Sequence, residues 1–143
     1  MTKSRYIYQL KHEEWKHGKD FMLQEVAFIT WNHPLRNLLF KAIADYESGK
    51  FSYDGATFVK ERSKSKFEVA AFIHDWRNAM GYVSYEVDRE MLDIMIKLDY
   101  SIDLIAWRGI LTRFTFLNIL RHKIKRTYVG SKPNDLFLIQ NLK

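Results

Sequence analysis

The chain has no cysteine, two prolines and six glycines among its 143 residues. Without cysteine there is no disulfide framework and no thiolate metal site, which fits a reducing compartment or a particle assembled in one. The glycines are isolated, so no phosphate-cradling loop, dinucleotide fingerprint or nucleophile elbow is present. Histidine is scattered too. His12 and His17 are five positions apart, not the three or four that bring two ligands onto one helical face, which argues against zinc. Long apolar runs are also missing: the most apolar long segment, residues 102–120, is interrupted by Asp103, Arg108 and Arg113, so no membrane span is expected. No N-terminal segment joins a basic start, an apolar run and a small-residue cleavage site, and no signal peptide is expected.

What remains is a chain 47% apolar and 15% aromatic, which argues for one packed domain rather than disorder. Its net charge of +6 arises from 23 basic and 17 acidic residues. Such an excess permits contact with nucleic acid or an anionic surface, and it is also common in ordinary soluble domains.

The chemistry gathers at residues 67–95. Val69, Phe72, Ile73, Trp76, Ala79 and Met80 share one helical face, and Gly81 then breaks the run. Ser84 is an N-cap for a second helix from Tyr85 to about Leu98, with Met91, Leu92, Met95 and Leu98 on its apolar stripe. A short turn makes these two helices antiparallel neighbours. Asp88 lies on the stripe of the second helix, and His74 at the edge of the apolar face of the first, so the two can meet in a partly dry interface.

The rest of the pattern implies a mainly α, single-domain helical bundle around that pair. Its helical body covers about 33–126, and extended arms cover 1–20 and 127–143. Residues 21–31 are too densely apolar for period to separate helix from strand. His33-Pro34 opens a helix over 34–48, which Gly49 ends. Asp54-Gly55 is a turn, and 61–66 is a charged loop with Ser63 or Ser65 available as a cap. Ser101 caps one long helix over 102–125, with Trp107, Ile110 and Phe114 expected in the core beside Phe72, Ile73, Trp76, Met91, Leu92 and Met95. Two apolar or aromatic arms, Arg5–Leu10 and Leu136–Leu142, lie outside this body.

Three uses of these residues follow. A His74 held by a carboxylate is kept in one tautomer and can act as a general base on water, with Asp75 about 100° around the helix as a cation ligand. Equally, His74 and Asp88 can be a satisfied core pair without turnover. Arg121, Lys123, Lys125 and Arg126 form a basic stripe that can contact phosphate or an acidic partner surface. Leu136, Phe137, Leu138 and Ile139 can dock on a neighbouring chain or fold back on their own.

The order Asp54-Gly55-Ala56-Thr57, then Ala70-Ala71-Phe72-Ile73-His74-Asp75-Trp76, then Asp88-Arg89 with Met91 and Met95, resembles a family of small phage and prophage proteins known as a domain of unknown function. Their pattern runs "DGAS", "AAxxHDxxY" and "ADRxFxxAM". The likeness covers roughly residues 51–120. It implies a phage particle component, present in repeated copies in a ring or tail connector, located in the virion after synthesis in the host cytoplasm and bound to other phage structural proteins. More distantly, the His-Asp helix is similar to that of phospholipases of the A-two type. That likeness implies His74 as general base, Asp88 as its partner, Asp75 as a calcium ligand and a lipid ester as substrate. The glycine-rich calcium loop of those enzymes has only Gly55 in the corresponding region here. The structural role without a cofactor therefore ranks first, ahead of the hydrolase and of a nucleic-acid-binding adaptor.

Overall fold

The computed structural model describes residues 12–51, 68–100, 102–124 and 133–138. These form six helices: α1 (His12–Glu25), α2 (Pro34–Glu47), α3 (Glu68–Ala79), α4 (Tyr85–Lys97), α5 (Ile102–Thr112) and α6 (Thr115–Ile124). The fold is mainly α, with one hydrophobic core.

The antiparallel pair α3–α4 is the centre. α1 and α2 pack on α3, while α5 and α6 pack on α4. Local chemistry sets the boundaries. The Ser84 hydroxyl accepts the Val87 N–H at 3.2 Å to open α4. Gly81, at φ +93°, supplies the left-handed residue that stops α3 and lets the chain turn back within a few residues. The α2 start at Pro34 is capped by the His33 ring, whose Nδ1 accepts the Leu35 N–H at 3.1 Å.

The core joins Leu35, Leu39 and Tyr46 of α2 to Phe72, Ile73 and Trp76 of α3 and to Met91, Ile94 and Met95 of α4. Each large side chain buried here contributes roughly 1.5–3 kcal/mol. Tyr46, Phe51 and Phe72 form a mutual aromatic cluster with centroids 5.3–5.9 Å apart.

Four expectations from the sequence are corrected. The N-terminal arm is not extended through residue 20, because α1 begins at His12. Among its residues of described burial the fully buried one is Met22, with Val26 just past the helix end, so little apolar period marks the helix in the sequence. In place of one helix over 102–125, residues 102–124 form two, separated at Arg113 and Phe114 by tight i to i−3 bonds from Arg113 N–H to the Ile110 carbonyl and from Phe114 N–H to the Leu111 carbonyl, and residue 125 lies outside the described residues. Trp107, Ile110 and Phe114 are 46%, 48% and 51% exposed rather than core, and Leu92 is only partly buried. The C-terminal segment docks on its own chain: Phe137 is 1% exposed and its N–H donates to Glu90 Oε2 at 2.8 Å. Leu136 and Leu138 flank it, half-buried, while Ile139 lies outside the described residues. So do Arg5–Leu10, Asp54-Gly55, the 61–66 loop and Ser101.

A buried ion pair fixes that docking. Arg77 and Glu90, both under 4% exposed as side chains, make a two-bond bridge at 3.0 and 2.9 Å. Arg77 also donates to the Asp135 carboxylate at 2.8 Å and to its carbonyl at 3.1 Å, and Lys41 reaches the same carboxylate at 2.9 Å. Burial opposes the Arg77 charge, but the Glu90 and Asp135 carboxylates outweigh it and raise its pKa. Arg77→Met would leave Glu90 charged and unpaired in the core. The expected loss is about 3–5 kcal/mol, read from the urea unfolding midpoint. A loss below about 1 kcal/mol would show that the pair does not hold the segment.

Candidate functional site

α3 presents His74 and α4 presents Asp88 across the central interface, and the two side chains meet. His74 Nε2 lies 2.6 Å from Asp88 Oδ1. The site does not end there. Arg108 of α5 donates from Nη2 to the same Asp88 oxygen at 2.9 Å, and the Thr115 hydroxyl, first residue of α6, donates to Asp88 Oδ2. One carboxylate thus receives donors from three helices besides its own. All four residues are buried or nearly so, with His74 and Arg108 side chains each 12% exposed.

Hydrogen-bond arithmetic fixes the ring's orientation. Asp88 accepts, so Nε2 carries the proton it donates. Arg108 Nη2, 3.2 Å from the same nitrogen, is then a second donor brought close by the shared oxygen and not a partner of the ring. Nδ1 faces the Asn78 side-chain nitrogen at 3.5 Å and the Asp75 carboxylate at 4.0 Å. In the neutral ring Nδ1 accepts from Asn78. In the protonated ring it needs an acceptor, and the buried Asn78 Oδ1, which has no hydrogen-bond partner, supplies one if the amide turns over.

Electrostatics follow from this packing. Burial pushes the His74 pKa down, and the Asp75 and Asp88 carboxylates more than reverse it, so the ring holds its proton above the ordinary value of 6.5. For Asp88, burial pushes up, while His74, Arg108 and Thr115 together bring the carboxyl below its usual 3.8. Arg108 is lowered by burial itself, against the pull of Asp88.

Chemically, this is a closed polar knot. Both Asp88 oxygens are engaged, and the guanidinium that shares Oδ1 neutralises much of the charge that would otherwise support His74 as a base. Asp75, 46% exposed, is the one carboxylate beside it that faces water. Among the described residues no three His, Asp or Glu side chains converge as a metal ion needs. Calcium takes six to eight oxygens; Asp75 supplies one carboxylate, and the described residues do not fit that ion. Of the basic stripe, Arg121 and Lys123 are exposed near the end of α6, whereas Lys125 and Arg126 lie outside the described residues. The segment Leu136–Leu138 is not brought to this site; it lies at the Arg77–Glu90 pair. Sequence reasoning missed Arg108 and Thr115. The available signal was a pair of polar residues, Arg108 and Thr112, one turn apart in a helix that is apolar for most of its length after Asp103.

No helix among the described residues is long and apolar enough to cross a membrane. The outer surface of α5 and α6 is nonetheless apolar. Exposure runs from 48% at Ile110 through Phe114, Phe116, Leu117 and Leu120 to 74% at Ile124.

The pair's pH dependence has a defined sign. A raised histidine contributes stability that is complete below 6.5 and lost as pH rises through its folded pKa. A depressed carboxyl contributes stability that is complete above 3.8 and lost as pH falls through its folded value. The stability gap between wild type and His74→Gln should therefore shrink as pH is taken from about 6 to about 9 in urea titrations. A gap that widens over that range contradicts this assignment.

Comparison with protein-family models, with curated proteins and with solved structures finds no match for this chain.

Proposed function

We propose that this chain is a non-catalytic structural subunit of a phage particle, a ring or tail-connector component that acts by docking on neighbouring subunits. The observation that carries this reading is the apolar outer face of α5 and α6. Six large side chains, Ile110 through Ile124, are about half or more exposed along two consecutive helices. Scattered surface apolar residues are ordinary, but a continuous row on one face marks a surface made to be covered. The closed state of the Asp88 knot supports a structural use of His74, and the family motifs support the phage context.

Leu117→Glu with Leu120→Glu tests it. Both positions are over half exposed, so the helical circular dichroism spectrum and the unfolding midpoint should stay near wild type, within about 0.5 kcal/mol. Incorporation into purified particles, measured by mass spectrometry, should be lost. Absence of the wild-type chain from particles, or normal incorporation of the double variant, overturns the reading.

A further inference from the structure

The cap that opens α2 depends on a proton being absent. Helix starts ordinarily take Ser, Thr, Asn or Asp, whose oxygens accept a backbone N–H throughout the neutral range. Here the acceptor is His33 Nδ1, 3.1 Å from the Leu35 nitrogen. A backbone N–H can only donate, so this bond exists only while Nδ1 is bare. Protonation sets two N–H groups face to face. Turning the ring restores nothing, because both nitrogens of the charged imidazole are donors.

The same ring lies against the docked C-terminal segment. Its centroid is 5.9 Å from that of Phe137, with the two planes tilted by 43°. Phe137 is 1% exposed, so the ring that has to leave Leu35 also helps to enclose the aromatic anchor of 133–138. A charged ring gains something from the Phe137 π cloud, but in its present place its new N–H still meets the Leu35 N–H.

The charges around His33 do not favour a cation. Burial first, and Lys97 at the end of α4 second, hold its pKa below the ordinary 6.5. Arg36, one turn along α2, donates to the Ile29 carbonyl and sits over the Trp31 and Phe40 rings. The carboxylates nearest the docked segment are engaged elsewhere. Glu90 holds Arg77 and the Phe137 N–H, and Asp135 holds Arg77 and Lys41.

A depressed histidine contributes stability that is complete above 6.5 and lost as pH falls through its folded value. His74 runs the other way, its contribution being complete below 6.5. Burial pushes the Asp135 carboxyl up, but Lys41 and Arg77 bring it below 3.8, so it stays ionised over the range in which His33 titrates. Mild acid therefore acts on one flank of α4 and spares the other.

We propose that His33 is an acid-operated latch: protonation of its ring uncaps α2 and loosens the segment 133–138, while α5 and α6 stay anchored. Two amides report on it directly, Leu35 N–H at the cap and Phe137 N–H on Glu90.

The test is native-state amide exchange on the full chain, corrected for its intrinsic pH dependence, from about pH 7.5 to about pH 4.5. Protection of Leu35 and Phe137 should fall on the order of five- to tenfold, the worth of a helix cap, with 102–124 unchanged. The fall should follow the His33 Cε1–H chemical shift, with its midpoint below the ordinary histidine value. His33→Asn keeps an accepting cap that does not titrate, so its Leu35 and Phe137 protection should be level over the whole range. If that variant fails to fold, His33→Ser replaces it with the same expectation. Protection that stays level in wild type while the His33 ring titrates overturns the proposal. So does an equal fall in the capped variant, which would place the proton at another group. A fall that spreads over 102–124 as well shows general acid unfolding and overturns it too.

Discussion

A buried carboxylate has to be compensated, and the compensation of Asp88 shapes half of this molecule. Taking a carboxylate out of water costs several kcal/mol unless donors replace the lost solvent. Here His74, Arg108 and Thr115 supply them from α3, α5 and α6. The consequence for α5 is a mixed inward side, where only Leu104 and Ile105, near its start, pack against the core. Its inward side carries Arg108 and Thr112, so several of its large apolar residues, Ile110 among them, are left facing outward. The break between α5 and α6 has the same origin, since Thr115 reaches Asp88 where the chain re-enters helix after the tight turn at 113–114. The apolar outer face is therefore a product of the polar knot beneath it.

α4 carries a second buried carboxylate, Glu90, two positions beyond Asp88. Two residues turn a helix by about 200°, so the pair serves opposite flanks. Asp88 gathers α5 and α6 on one flank. Glu90 holds Arg77 on the other and, through Asp135 and the Phe137 N–H, the segment 133–138. Pairing a core aromatic, Phe137, with a backbone donor to a buried acid explains why this apolar segment folds back rather than reaching for a neighbour.

The parts of the fold that local chemistry determines were readable from the chain. Ser84 and Gly81 bound the central helices, His33-Pro34 opened α2, and the periods of α3 and α4 brought His74 and Asp88 together. The failures share a cause. Period reveals that a helix has two faces but not which one turns inward, and for residues 102–125 the deciding fact was a carboxylate on another helix. The Arg77–Glu90–Asp135 cluster spans 58 positions, and only the folded chain brings it together. In the fold, Arg77 is what binds the C-terminal segment.

The central claim, that Asp88 is the tie on which the α5–α6 layer depends, is tested most directly by native-state hydrogen exchange on Asp88→Asn. The account predicts that amide protection falls selectively across 102–124, with α1 and α2 near wild type, because only the outer cationic layer loses its anchor. Unchanged protection across α5 and α6, or a uniform fall over every helix, would contradict it.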